Sequence, residues 1–131
     1  MIPERFAPMT YALFRIVFGL LLFMFGLQKM VGWFGGQVAP LQSLMGAAGV
    51  VETVCGFLIL LGLFTRPAAF LASGEMAVAY FWMHWGQTGK MWWWQNRGEV
   101  VMLYSFVWLF FAAWGAGSFS LDGWRRKRQG A

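Results

Sequence analysis

Four mainly apolar blocks, residues 11–30, 46–64, 67–85 and 100–116, divide this chain. Each runs for about 17 to 20 residues, the length at which a helix crosses the hydrocarbon core of a bilayer. The chain is 60% hydrophobic and only 11% charged, against roughly 25% charged in an average soluble domain. These features predict an all-α, polytopic membrane protein, an antiparallel bundle of four transmembrane helices. The 131 residues hold one such bundle and no second domain, so chemistry that needs a soluble catalytic domain must come from a partner.

Only Thr65 and Arg66 separate the second block from Pro67, a residue suited to the first turn of a helix. The second and third helices should therefore form a tight antiparallel hairpin. The connections 31–45 and 86–99 are longer and carry Trp33, Phe34 and the run Trp92, Trp93, Trp94, residues that favour the headgroup level. Basic residues set the orientation. Arg5, Arg66, Arg125, Arg126, Lys127 and Arg128 lie near one set of span ends, and Lys29, Lys90 and Arg97 near the other. This bias predicts that both termini are cytoplasmic. The first helix is expected to be retained, because its apolar run exceeds a signal-peptide core, Arg15 interrupts it and no small-residue cleavage site comes after it. The basic cluster at 125–128 reads as a topology anchor against anionic lipid and offers no folded surface for nucleic acid.

Residue counts exclude several chemistries. Cys55 is the single cysteine, which rules out an internal dithiol relay, and His84 is the single histidine, which rules out a bis-histidine haem or a histidine-rich metal site unless subunits share ligands. No metal site is expected. There is no phosphate-binding loop and no dinucleotide fingerprint. Gly19, Gly26, Gly56, Gly62, Ala68, Ala72 and Ala79 instead read as small residues that let membrane helices approach closely.

Polar residues inside the apolar blocks carry more information, because an ionised carboxylate in a bilayer must be partnered or protonated. At 1.5 Å per residue, Glu52 lies about 9 Å below the outer end of helix two and Glu75 roughly 12 Å up helix three. Depth groups Gln28, Lys29, Glu52, His84 and Glu99 as an outer polar layer and sets Arg15 within reach of Glu75 as an inner pair. In helix one, Arg15, Gly19, Leu22, Gly26 and Lys29 run in steps of four and three, a stripe that faces the bundle. His84 lies half a turn away from Glu75 in an ideal α-helix and should point away from it.

Each charge has a structural and a functional reading. Arg15 with Glu75 serves as a buried pair fixing helix register, or as part of a functional site. Lys29 with Glu52 serves structurally or exchanges protons with a redox carrier. Glu99 suits the start of helix four, where the dipole favours a carboxylate. Trp33 and the run Trp92 to Trp94 form an interface belt, or stack on a flat ring. In the segment 115–122, GAGSFSLD, the glycines end helix four before a polar turn, and Asp122 can cap an adjacent helix or dock a partner.

The chain resembles the DoxX-like family of small bacterial membrane proteins. The likeness covers nearly the whole sequence: GLQKMVGWFGG at 26–36, VETVCGFLILLGLFTRPAA at 51–69, GEMAVAYF at 74–81, NRGE at 96–99 and GAGSFSLD at 115–122. Arg15, Lys29, Glu52, Glu75, Glu99 and Asp122 stand where that family usually shows polar residues. The resemblance implies a four-helix inner-membrane protein whose relatives are tied to quinone chemistry, including the small subunit of thiosulfate:quinone oxidoreductase. The leading expectation is a quinone-interacting subunit working with a redox partner. In it Glu52 and Lys29 exchange protons, and Gln28, Trp33, Glu99 and Trp92 to Trp94 contact the headgroup. A non-catalytic scaffold whose glycine-rich faces hold a partner subunit is the alternative, and a proton-coupled permease built on Glu75, which needs the chain to form a homo-oligomer, ranks below both.

Overall fold

The computed structural model describes residues 1–130. Every regular element among them is helical. A 3-10 turn at Glu4–Phe6 leads into α1 (Ala7–Val31), succeeded by α2 (Leu44–Leu61) and α3 (Thr65–Ala79). The path of α3 continues without a break through a π-helical segment, Tyr80–Trp85, and one last α-turn, Gly86–Thr88. A single turn at Trp93–Asn96 precedes α4 (Glu99–Trp114), and the chain closes with α5 (Leu121–Gln129).

Local chemistry explains the boundaries. Pro8 sits in the first turn of α1, where a missing N–H costs nothing, and Gly32 ends that helix in the left-handed region at φ 74°. Ser43 caps α2 by accepting a hydrogen bond from the Gly46 N–H at 3.0 Å. The hairpin between α2 and α3 is as tight as the sequence predicts, spanning only Gly62–Phe64.

The α1 and α2 helices run antiparallel in close contact because glycines remove the side chains between them. A Cβ built on Gly19 would come 2.6 Å from the Leu60 backbone nitrogen, and one on Gly56 would come 2.7 Å from the Phe23 Cα. On α1 the buried face is Ala12, Arg15, Gly19, Leu22 and Gly26, the stripe read from the sequence, while Leu13, Val17 and Leu20 face outward. The core gathers Leu22, Cys55, Ile59, Ala68, Ala69, Ala72, Met76, Trp108 and Phe111 from all four long helices. Ser73 on α3 and Ser105 on α4 exchange hydrogen bonds to each other's backbone carbonyls at 2.7 and 3.1 Å. Such bonds suit helices whose other contacts are apolar.

Two stretches, Glu4–Val31 and Leu44–Leu61, are long and apolar enough to cross a membrane, and the apolar helix Glu99–Trp114 is shorter. The first turns of α1, the α5 helix and the α2–α3 hairpin lie at one end of the bundle, called here the terminal end; the connections 32–43 and 89–98 form the loop end.

The sequence predicts only a polar turn and a basic tail over 117–131, but Leu121–Gln129 is a helix started by Ser120, whose hydroxyl accepts from the Gly123 N–H at 3.0 Å. Its Asp122 bonds to the α2–α3 turn: the two carboxylate oxygens accept the Phe64 and Thr65 N–H groups at 2.9 and 3.0 Å. Of the two roles open to Asp122, the cap is the one formed, and the helix capped is α3.

Candidate functional site

The α2–α3 hairpin decides which charges meet. Glu52 and Glu75 lie nearly equally far along the chain from its turn, so antiparallel packing brings them to one level, and their carboxyls face each other. The glycine contacts between α1 and α2 bring Lys29 to the same level. Its ammonium donates to Glu52 Oε2 at 2.5 Å, with the glutamate side chain only 4% exposed. Glu75 Oε2 is buried and has no hydrogen-bond partner among the described residues. Two carboxyls thus lie near one cation, which pairs with Glu52.

This triad opens into a cavity of about 750 Å³ between the loop-end halves of the helices. Phe25 and Lys29 contribute from α1, Val51 and Glu52 from α2, Glu75, Met76 and Ala79 from α3, and Val101 and Tyr104 from α4. Met83 and His84 of the π-helical segment, together with Asn96 and Arg97, border its loop end. The wall is mainly apolar with a few polar groups, the usual composition of a small-molecule site.

The inner pair expected between Arg15 and Glu75 does not form. Arg15 packs against Gly62 at the terminal end, where a Cβ on that glycine would come 3.0 Å from the guanidinium carbon. One guanidinium nitrogen donates to the Ala116 and Phe119 carbonyls at 2.7 and 3.0 Å. Depth counted along isolated helices puts Arg15 and Glu75 too close, whereas hairpin packing sets Glu75 level with Glu52. Arg15 instead ties α1 to the segment after α4, where the Tyr11 hydroxyl also donates to the Gly115 carbonyl at 2.5 Å.

The expected outer layer is narrower than the sequence suggests. Gln28 faces a separate cavity under the 32–43 loop and donates to the Phe34 carbonyl at 3.2 Å. Trp33 packs edge-on against Phe34 and is 60% exposed. Trp92 and Trp94 stack on each other with ring centroids 5.0 Å apart, and Trp93 packs against both. Glu99 lies exposed in the first turn of α4. None of these six residues lines the carboxylate cavity.

Depth along the sequence groups His84 with this layer while helical phase turns it away, and Asn96 is not singled out at all. His84 lines the cavity from within the π-helical segment, whose extra residues per turn shift the α-helical phase, an irregularity that phase counting cannot anticipate. Asn96 is 4% exposed and serves as a hub: its Nδ2 donates to the Lys90 carbonyl and its Oδ1 accepts the Gly98 N–H, both at 2.8 Å. The meeting of Glu52 with Glu75 was legible in principle from their equal distance to the hairpin turn.

An all-helical membrane protein organised around the carboxyls of Glu52 and Glu75 and one lysine is the class that fold and site define. The DoxX family model matches residues 10–85, which include the triad and His84. An uncharacterised protein of Haemophilus influenzae is 39% identical over 124 residues, covering 91% of this chain and 92% of its own. No solved structure matches the chain with significance. The chain belongs to the DoxX family.

Proposed function

We propose that this DoxX-family protein is a quinone-interacting membrane subunit of a redox or quinone-stress system, working with a partner that supplies electrons. The observation that carries this reading is the second carboxyl. A purely structural ion pair for Lys29 needs Glu52 alone, yet Glu75 faces the same cavity with an oxygen that has no partner among the described residues. An intramembrane ionisable group without a structural task points to function.

The residues present suit a quinone headgroup. The cavity volume falls in the range of small-molecule sites. Lys29 is placed to donate to a carbonyl oxygen, and Glu52 and Glu75 to hold and release protons beside it. Phe25 and Tyr104 line the wall and take the aromatic role that the tryptophans were expected to fill. A bound quinone would supply two-electron, two-proton acceptor chemistry. Four spans in a bacterial inner membrane with both termini cytoplasmic complete the reading. It is supported by Arg5, Arg66 and the basic face of α5, which gather at the terminal end.

The scaffold reading draws on that same end, where Arg15 and Asp122 satisfy backbone groups and carry no free function. Titration of tryptophan fluorescence in nanodiscs with short-chain quinones separates the two, and nine tryptophans make the signal strong. Saturable quenching in the wild type that is lost in Glu52→Gln and Glu75→Gln supports the quinone site. Linear quenching that is equal in all three proteins, and in a membrane-matched control, sinks it and leaves the scaffold.

A further inference from the structure

We infer that His84 is a ligand-binding residue of the carboxylate cavity, accepting a hydrogen bond from a ring hydroxyl, so that the site distinguishes a quinol from the corresponding quinone. This inference rests on the quinone reading of the same cavity.

Its first support is the backbone. The segment Tyr80–Trp85 is π-helical within an otherwise regular helical path from Thr65 to Thr88. Such segments are rare and recur at functional sites, where they re-aim a side chain. Here His84 lies within that segment and lines the cavity, where ideal α-helical phase would set it half a turn from Glu75.

A second support is the fixed ring. His84 Nδ1 lies 3.1 Å from the Asn96 carbonyl oxygen. A carbonyl only accepts, so in the neutral ring Nδ1 carries the proton and Nε2 keeps a lone pair. The carbonyl is itself held in place, since Asn96 is buried and anchored through its side chain to Lys90 and Gly98. The Tyr80 ring lies beside the imidazole, with ring centroids 6.5 Å apart and planes inclined by 27°. A backbone carbonyl that sets a histidine's tautomer is how proteins prepare the opposite nitrogen for a ligand.

The third support is complementarity. Nine residues separate Glu75 from His84, a rise of about 13 Å at helical pitch. Helical side chains lean toward the N-terminus, which for His84 is the direction of the triad. Lys29 at the lower level is a donor, suited to a carbonyl oxygen, and Nε2 at the upper level is an acceptor. A quinone oxygen carries no proton to give Nε2, whereas a quinol hydroxyl does.

Because His84 is the only histidine, selective 15N-histidine labelling reports it without ambiguity. The experiment uses the full chain in nanodiscs with a short-chain ubiquinol analogue and its oxidised form. The expected spectrum shows an unprotonated Nε2 that shifts saturably with the quinol and stays in place with the quinone. In parallel, His84→Phe should raise the Kd for the quinol about tenfold, the scale of one hydrogen bond, and leave the Kd for the quinone within twofold. A protonated Nε2, an equal shift with both forms, or a variant that binds both as the wild type does would overturn the assignment. No saturable binding of either form to the wild type would instead overturn the quinone reading, and this inference with it.

Discussion

Asp122 and Thr65 stand far apart in the sequence, yet the Asp122 carboxylate accepts the Thr65 backbone N–H at 3.0 Å and that of Phe64 at 2.9 Å. A side chain from the last helix thereby caps a helix near the middle of the chain. It also holds Phe64 in a left-handed conformation, φ 48°, that a bulky residue rarely adopts. The Asp122 N–H returns a bond to the Gly62 carbonyl at 2.8 Å.

Removing this cap should be felt as stability. Asp122→Ala is expected to destabilise the folded protein by about 1 to 2 kcal/mol, the usual scale of a lost helix cap. Asp122→Asn, which keeps one accepting oxygen, should recover part of that. Thermal melts of detergent-solubilised protein measure both, and an Ala variant that melts with the wild type would show that the cap is dispensable.

Lys29→Met should cost about 3 kcal/mol, because it strands Glu52 beside a second carboxyl without a cation. Adding Glu52→Gln to that variant should restore most of the loss. Stability of the two variants in one lipid composition decides the point; a double variant no better than the single would mean that the ion pair is not what Lys29 contributes.

Arg15 and Glu75 make no direct contact, since the guanidinium serves the carbonyls of Ala116 and Phe119. The effects of Arg15→Met and Glu75→Leu should therefore add to within about 0.5 kcal/mol in a double-mutant cycle. A larger coupling would restore the pairing that helix depth alone suggests.

Glycines give an opposed pair of expectations. A methyl at Gly56 meets only backbone, with the Phe23 Cα at 2.7 Å and the Leu22 carbonyl carbon at 3.0 Å, so α1 and α2 must separate. Gly56→Ala should cost roughly 1 to 3 kcal/mol. Gly74 has nothing within 4 Å of its built Cβ. Gly74→Ala should be neutral or stabilising by up to about 1 kcal/mol through helix propensity. Melting both variants side by side tests whether close helix approach is localised to the α1–α2 face.

Much of this molecule is legible in the order of its residues. The apolar blocks mark the helices, the Arg15 to Lys29 stripe marks the buried face of α1, and the short break before Pro67 marks the hairpin, because each is a local pattern with a fixed period or a known breaker. Glu52 and Lys29 were identifiable as partners, since both lie near the loop end of neighbouring helices. Three things were decided only in three dimensions. Arg15 and Glu75 parted because axial offset between helices is set by glycine contacts and by the hairpin, not by distance from a span end. His84 entered the cavity because a π-helical segment changed its phase, and the tryptophan run stayed out because its short turn stacks the rings on one another. Periodicity along one helix fixes which face is buried; which charges meet across helices depends on relative offset and rotation, and those come from packing between segments distant in sequence.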